Sequence, residues 1–134
     1  MELLTDFRCN NQDLMRDEDA LGEWLLQAAS AVGMTAFGDP RIENYPFPHQ
    51  DSVALSAQLF LGESGITIHT YPEYGAVFLN LFTCKDFDPE AALAFICETF
   101  GVYAGFYYLF QRGVDIETGL VQRLELLKTG ELQG

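Results

Sequence analysis

Hydroxyl, imidazole and thiol groups crowd the middle of this sequence. The segment predicted to run as a strand from Ile66 to Tyr71 places Thr67, His69 and Tyr71 on one face. A second predicted strand, Ala76 to Cys84, places Ala76, Phe78, Asn80, Phe82 and Cys84 on one face, and Ser56 shares a face with Gln58 on the strand before. With those faces coincident, Ser56, His69 and Cys84 gather beside the turn at Ser64. A serine nucleophile, an imidazole that moves protons near neutral pH and a thiol acid are the parts of a covalent, proton-transferring site. Taken singly, each residue has a plainer reading. Gly62-Glu-Ser-Gly65 is a hairpin turn, His69 a hydrogen-bonded structural histidine and Cys84 a small buried residue. Other chemistries are excluded. Two histidines, His49 and His69, cannot supply a three-histidine metal site, and Cys9, Cys84 and Cys97 form no C-x-x-C pair. No metal ligand set is assigned. Gly-rich phosphate loops, H-E-x-x-H and G-x-S-x-G are absent.

The elements that must hold these groups follow from periodicity. Glu2 to Cys9 reads as a first strand. The polar stretch Gln12 to Glu18 offers Asn11, Asp13, Asp17 and Asp19 as helix caps, and Leu21, Trp24, Leu25, Ala28, Ala29 and Val32 form a helical stripe stopped at Gly33. Thr35 to Asn44 reads as a strand interrupted at Gly38 to Pro40, and Tyr45 to Ser52 as a loop. Val53 to Leu61 alternates as a strand. Asp88-Pro89 starts a second helix that Gly101 stops, and Val102 to Gln111 is a last, aromatic-rich strand. Leu120 to Lys128 is expected to form a short helix. The fold class is α+β: a two-layer sandwich of a mostly antiparallel sheet with two helices on one face.

The 134 residues are read as a single domain, 1–134. Apolar residues make up 49%, enough for a packed core, and the net charge is −13. Such a chain gains nothing from releasing counterions around a phosphate backbone, so no nucleic acid and no anionic membrane surface are expected as partners. A cationic small molecule is attracted instead. No signal peptide and no apolar run of membrane-spanning length are present, and a cytoplasmic location is expected.

The order of the central residues points further. The run Gly62-Glu-Ser-Gly-Ile-Thr-Ile-His-Thr-Tyr-Pro-Glu-Tyr-Gly75, followed by Leu81-Phe-Thr-Cys84, closely resembles the bacterial S-adenosylmethionine decarboxylases. Those enzymes carry Glu-Ser-His-x-Thr-Ile-His-Thr-Trp-Pro-Glu-Tyr-Gly and then Phe-Thr-Cys. Ser56, eight residues before Ser64, falls where the family has a serine. The resemblance runs over about residues 1–113 and leaves the tail 114–134 outside. It departs at Gly65, where the family has histidine, and at Tyr71, where it has tryptophan.

The resemblance implies a chain that makes its own cofactor. The bond between Glu63 and Ser64 is cut, Ser64 becomes a pyruvoyl group, and Ser56 and His69 assist. The pyruvoyl then forms a Schiff base with the substrate amine and acts as electron sink while CO₂ departs, and Cys84 returns a proton. Glu73 sits where the family binds ribose, Tyr71 where it stacks on adenine, Phe47 near a second stacking position and Asp6 near an acidic site position. A homodimer working in polyamine biosynthesis is implied. Two alternatives stay open: decarboxylation of ornithine or arginine, and an unprocessed, inactive relative acting as a binding or regulatory subunit.

Overall fold

Two-residue alternation builds the sheet. In the computed structural model, which describes residues 1–62 and 64–133, the strand β3 (Leu55–Leu61) buries Leu55, Ala57, Leu59 and Leu61 and exposes Gln58 and Phe60. The same rhythm buries alternate residues of β1 (Glu2–Cys9), β4 (Ser64–Tyr71) and β5 (Ala76–Phe82). With β2 (Arg41–Asn44), β6 (Val102–Val114) and β7 (Val121–Glu131) they form one sheet in the order β2-β3-β4-β5-β1-β6-β7. Every pairing is antiparallel.

Side-chain caps start the helices, each drawn from the candidate caps in the sequence. Asn11 accepts from the Leu14 amide at 3.1 Å and opens α1 (Gln12–Arg16), and Asp17 accepts from Ala20 at 3.1 Å and opens α2 (Glu18–Ala31). Asp88 accepts from Glu90 and Ala91 at the start of α3 (Pro89–Phe100). Gly101 ends α3 at φ 67°, a left-handed turn that a side chain would strain. Trp24 and Ala28 of α2 and Ala92 and Ile96 of α3 converge on Ile66, Leu79 and Leu81. Both longer helices therefore cover one face of the sheet. The Trp24 indole donates to Thr99 Oγ1 at 2.7 Å, and its ring meets Phe100 edge-on at 4.8 Å. The other face of the sheet is open.

Three expectations are corrected. The polar stretch after β1 folds as the short helix α1, a third helix among the described residues. Only Arg41–Asn44, beyond Pro40, is strand in the 35–44 region. The tail is not helical: β6 runs on to Val114 and β7 pairs along it, with Tyr108 opposite Thr129 and Phe110 opposite Leu126. Leu120, Leu124 and Leu127 recur at helical spacing, yet the unpaired edge of β6 offers this segment a full ladder of backbone bonds.

Candidate active site

Ser64 is the first residue of β4. Leu61 lies opposite it, so Gly62 and Glu63 form the connection, with Gly62 in a left-handed conformation at φ 63°. Glu63 itself lies outside the described residues. Ser64 is only 8% exposed and shares the helix-covered face with Ile66, Ile68 and Thr70. Its Oγ accepts a hydrogen bond from the Cys84 amide at 3.2 Å. Gly65 follows on the open face, where an added Cβ would meet only the Leu59 carbonyl oxygen, at 3.6 Å.

Ser56 and His69 are cross-strand partners between β3 and β4, and Ser56 Oγ lies 2.8 Å from His69 Nδ1. Both sit on the open face. They wall one end of a cavity of about 580 Å³ whose other walls are Tyr45, Phe47, Tyr71, Tyr74 and Phe78. The rings stand at angles to one another. Phe47 meets Tyr71 at 5.9 Å and 82°, and Tyr71 meets Phe78 at 5.7 Å and 82°. A cavity walled largely by aromatic rings suits a flat aromatic ligand. Glu73, in the turn after β4, accepts a hydrogen bond from Ser52 Oγ at 2.7 Å, and the same hydroxyl accepts from the His49 amide at 3.3 Å.

Cys84 lies past the end of β5, so strand alternation no longer sets its direction. It is exposed and lines a second cavity of about 430 Å³, with Phe82, Asp86, Arg112, Asp115 and Ile116. There the Arg112 guanidinium stacks over the Phe82 ring at 4.4 Å and donates to Glu2 at 2.6 Å. Asp6 sits on the open face of β1, opposite Phe78 on one side and Phe106 on the other. Burial pushes its pKa up, as expected for a carboxyl flanked by aromatic rings.

The structure thus makes two pairs of the four expected groups. Ser56 is joined to His69, and Ser64 to the Cys84 backbone. The pairs do not meet within one chain: His69 is five positions along β4 from Ser64 and faces the opposite side. At about 3.3 Å per residue that is a separation of about 17 Å. The expected single cluster around Ser64 is therefore corrected. Sequence reasoning missed Ser52, Tyr45 and Tyr74. The prolines around them mark only a loop, and no local signal brings residues 45–52 against the turn at 72–74.

The sequence model of the S-adenosylmethionine decarboxylase family matches residues 1–113. The chain belongs to that family. The S-adenosylmethionine decarboxylase proenzyme of Acidithiobacillus ferrooxidans is 32% identical over 101 residues, covering 75% of this chain and 71% of that one. The proenzyme of Fervidobacterium nodosum is 29% identical over 119 residues, 88% of this chain and 82% of that one. The crystal structure of the adenosylmethionine decarboxylase from Aquifex aeolicus shares the fold, with a TM-score of 0.61 at 18% identity over 99% of this chain and 88% of that one. The family is one of pyruvoyl-dependent carboxy-lyases. Among the described residues, no helix is long and apolar enough to cross a membrane.

Proposed function

We propose that residues 1–134 act as one self-processing S-adenosylmethionine decarboxylase domain whose pyruvoyl group is made from Ser64. The observation that carries the reading is Ser64 itself. In a family of pyruvoyl enzymes it stands directly after the Gly62-Glu63 connection, buried, with its Oγ held by the Cys84 amide. Ser64 Oγ attacks the Glu63 carbonyl carbon, and the amide C–N bond breaks as an ester forms. Loss of the Ser64 Cα proton then expels the Glu63 carboxylate. The dehydrated amino terminus takes up water and releases ammonia, leaving a ketone at residue 64. Fragments of 63 and 71 residues result. The site suits that group, because the Cys84 N–H that now meets the hydroxyl remains as a donor toward a carbonyl oxygen at residue 64.

The bound group supplies an electron sink for the charge left when CO₂ departs. The chain's own residues do the rest. The Ser56–His69 pair moves protons during processing, its hydroxyl and imidazole sharing one hydrogen bond. Cys84 returns a proton to the substrate Cα. Phe47 and Tyr71 hold the purine, and Glu73, steadied by Ser52, takes the ribose hydroxyls. Asp6 and the net charge of −13 favour a substrate carrying a sulfonium and an amine.

The separation of Ser56–His69 from Ser64 calls for a second copy, which brings its own pair to the first copy's Ser64. The open face of the sheet suits such a homodimer, since Phe60, Phe78 and Phe106 stand half-exposed on it. The test is the denatured mass of the purified protein, with CO₂ release measured from S-adenosylmethionine, ornithine and arginine. Two fragments and turnover of S-adenosylmethionine are expected. One species at 15.0 kDa overturns the self-processing reading, and turnover of ornithine or arginine alone overturns the substrate.

A further inference from the structure

Past Phe110, which lies opposite Glu2 at the start of β1, the strand β6 keeps only β7 as a neighbour. Residues 111–125 therefore project from the sheet as a two-stranded arm. Its turn is tightly built: Asp115 Oδ1 accepts from the Glu117 and Thr118 amides, and the Asp115 and Leu120 backbones bond at 2.8 Å. Yet the arm is apolar where it meets water. Ile116 is 85% exposed, Val121 79%, Leu120 68% and Leu124 62%. Burying such side chains is favourable, and a protein seldom leaves several of them gathered on one exposed projection.

We infer that this arm is a clasp that grips the sheet of a second copy of the same chain. The inference rests on the homodimer proposed above and adds what holds it together. Two observations choose the occupant. The first is continuity. Leu126 lies opposite Phe110 and carries the apolar surface of the arm onto the open face that bears Phe106 and Phe78. The second is charge. Arg112 and Arg123 are two of the chain's seven basic residues, and residues 111–125 hold only −1 of the net −13. The arm is the part of the molecule that a second acidic body repels least. An isologous pair uses the clasp twice, each arm reaching across the other's sheet. The family's sequence model ends at residue 113, and most of the arm lies beyond it.

The test compares the native protein with Ile116→Ser/Leu120→Ser/Val121→Thr by sedimentation velocity across a dilution series, with circular dichroism and thermal melting as folding controls. These side chains contribute little to the monomer's core, so the melting behaviour stays close to native. The expected result is a native dimer, and a dissociation constant raised on the order of tenfold or more in the variant. A second measurement places a photo-crosslinker at residue 116 of the full chain, and is expected to give a covalent dimer joined to the strands carrying Phe60, Phe78 or Phe106. A native dimer unchanged in the variant, or crosslinks confined to one chain, overturns the clasp and leaves the dimer standing. A native monomer overturns both. Open-ended assembly by edge pairing of β7 overturns the clasp. None of these results touches the fragment masses that test self-processing.

Discussion

Ser52 is the most informative position to change, because it reaches the site through another residue. It is 5% exposed, and its hydroxyl bridges the His49 amide and the Glu73 carboxylate at 3.3 and 2.7 Å. Ser52→Ala removes both bonds and adds no bulk. A hydrogen bond to a charged acceptor is worth about 1.5–3 kcal/mol when buried. Glu73 is exposed, so solvent takes up part of the loss and about 1–2 kcal/mol remains. At 1.4 kcal/mol per factor of ten, kcat/KM should fall on the order of 5- to 30-fold. The loss should appear in KM, because Glu73 is assigned to hold the ribose and not to take part in bond breaking. Self-cleavage should proceed at the native rate, since no contact links Ser52 to Ser64. The assay is CO₂ release against substrate concentration on fully processed protein, with fragment masses as the control. Unchanged KM with intact folding would refute the claim that Glu73 carries substrate, and slowed cleavage would refute the separation of the two jobs.

Three further outcomes are expected. Ser64→Ala should give a single intact chain that melts close to the native precursor, and cleavage of that variant in a mass spectrum would remove Ser64 from the processing reaction. Cys84→Ala should still yield both fragments but lose on the order of 10²–10⁴-fold in turnover, the range typical of one general acid; native turnover would show that another group delivers the proton. Asp6 has a raised pKa from desolvation, so its charged form costs stability, and that cost grows as pH rises through 3.8 and above, then stays constant. Asp6→Asn should therefore melt higher than the native chain at pH 7 and equally at a pH well below 3.8, and equal melting at both pH values would show that Asp6 bears no penalty.

The elements around the site were legible because their signals are local. Asp88-Pro89 and Gly101 mark both ends of α3 within one segment, and the buried alternation of β3 and β4 is written in their own residues. The tail was not legible. Leu120, Leu124 and Leu127 satisfy a helical period, and only the free edge of β6, a partner distant in the chain, decides for β7. The loop at 45–52 failed for the same reason. Nothing within it announces that Ser52 reaches Glu73, twenty-one residues away, or that Tyr45 and Phe47 close over Tyr71.

The central hairpin shows where strand arithmetic is strong and where it was misapplied. A two-residue connection at Gly62-Glu63 fixes Leu61 opposite Ser64, and five steps back along each strand put Ser56 opposite His69. That contact follows from the turn alone, and it forms at 2.8 Å. The same arithmetic separates Ser64 from His69: an odd number of steps along one strand sends their side chains to opposite faces. Grouping all four residues beside the turn overlooked this parity. It has a chemical consequence. A nucleophile on the helix-covered face and a proton relay on the open face, about 17 Å apart, cannot act on one bond within a single straight strand. Either the relay at Ser64 comes from another copy of the hairpin, or Ser56 and His69 serve only the aromatic cavity they line. Mixing Ser64→Ala chains with His69→Ala chains separates the two, because only the first arrangement restores cleavage of the His69→Ala chain.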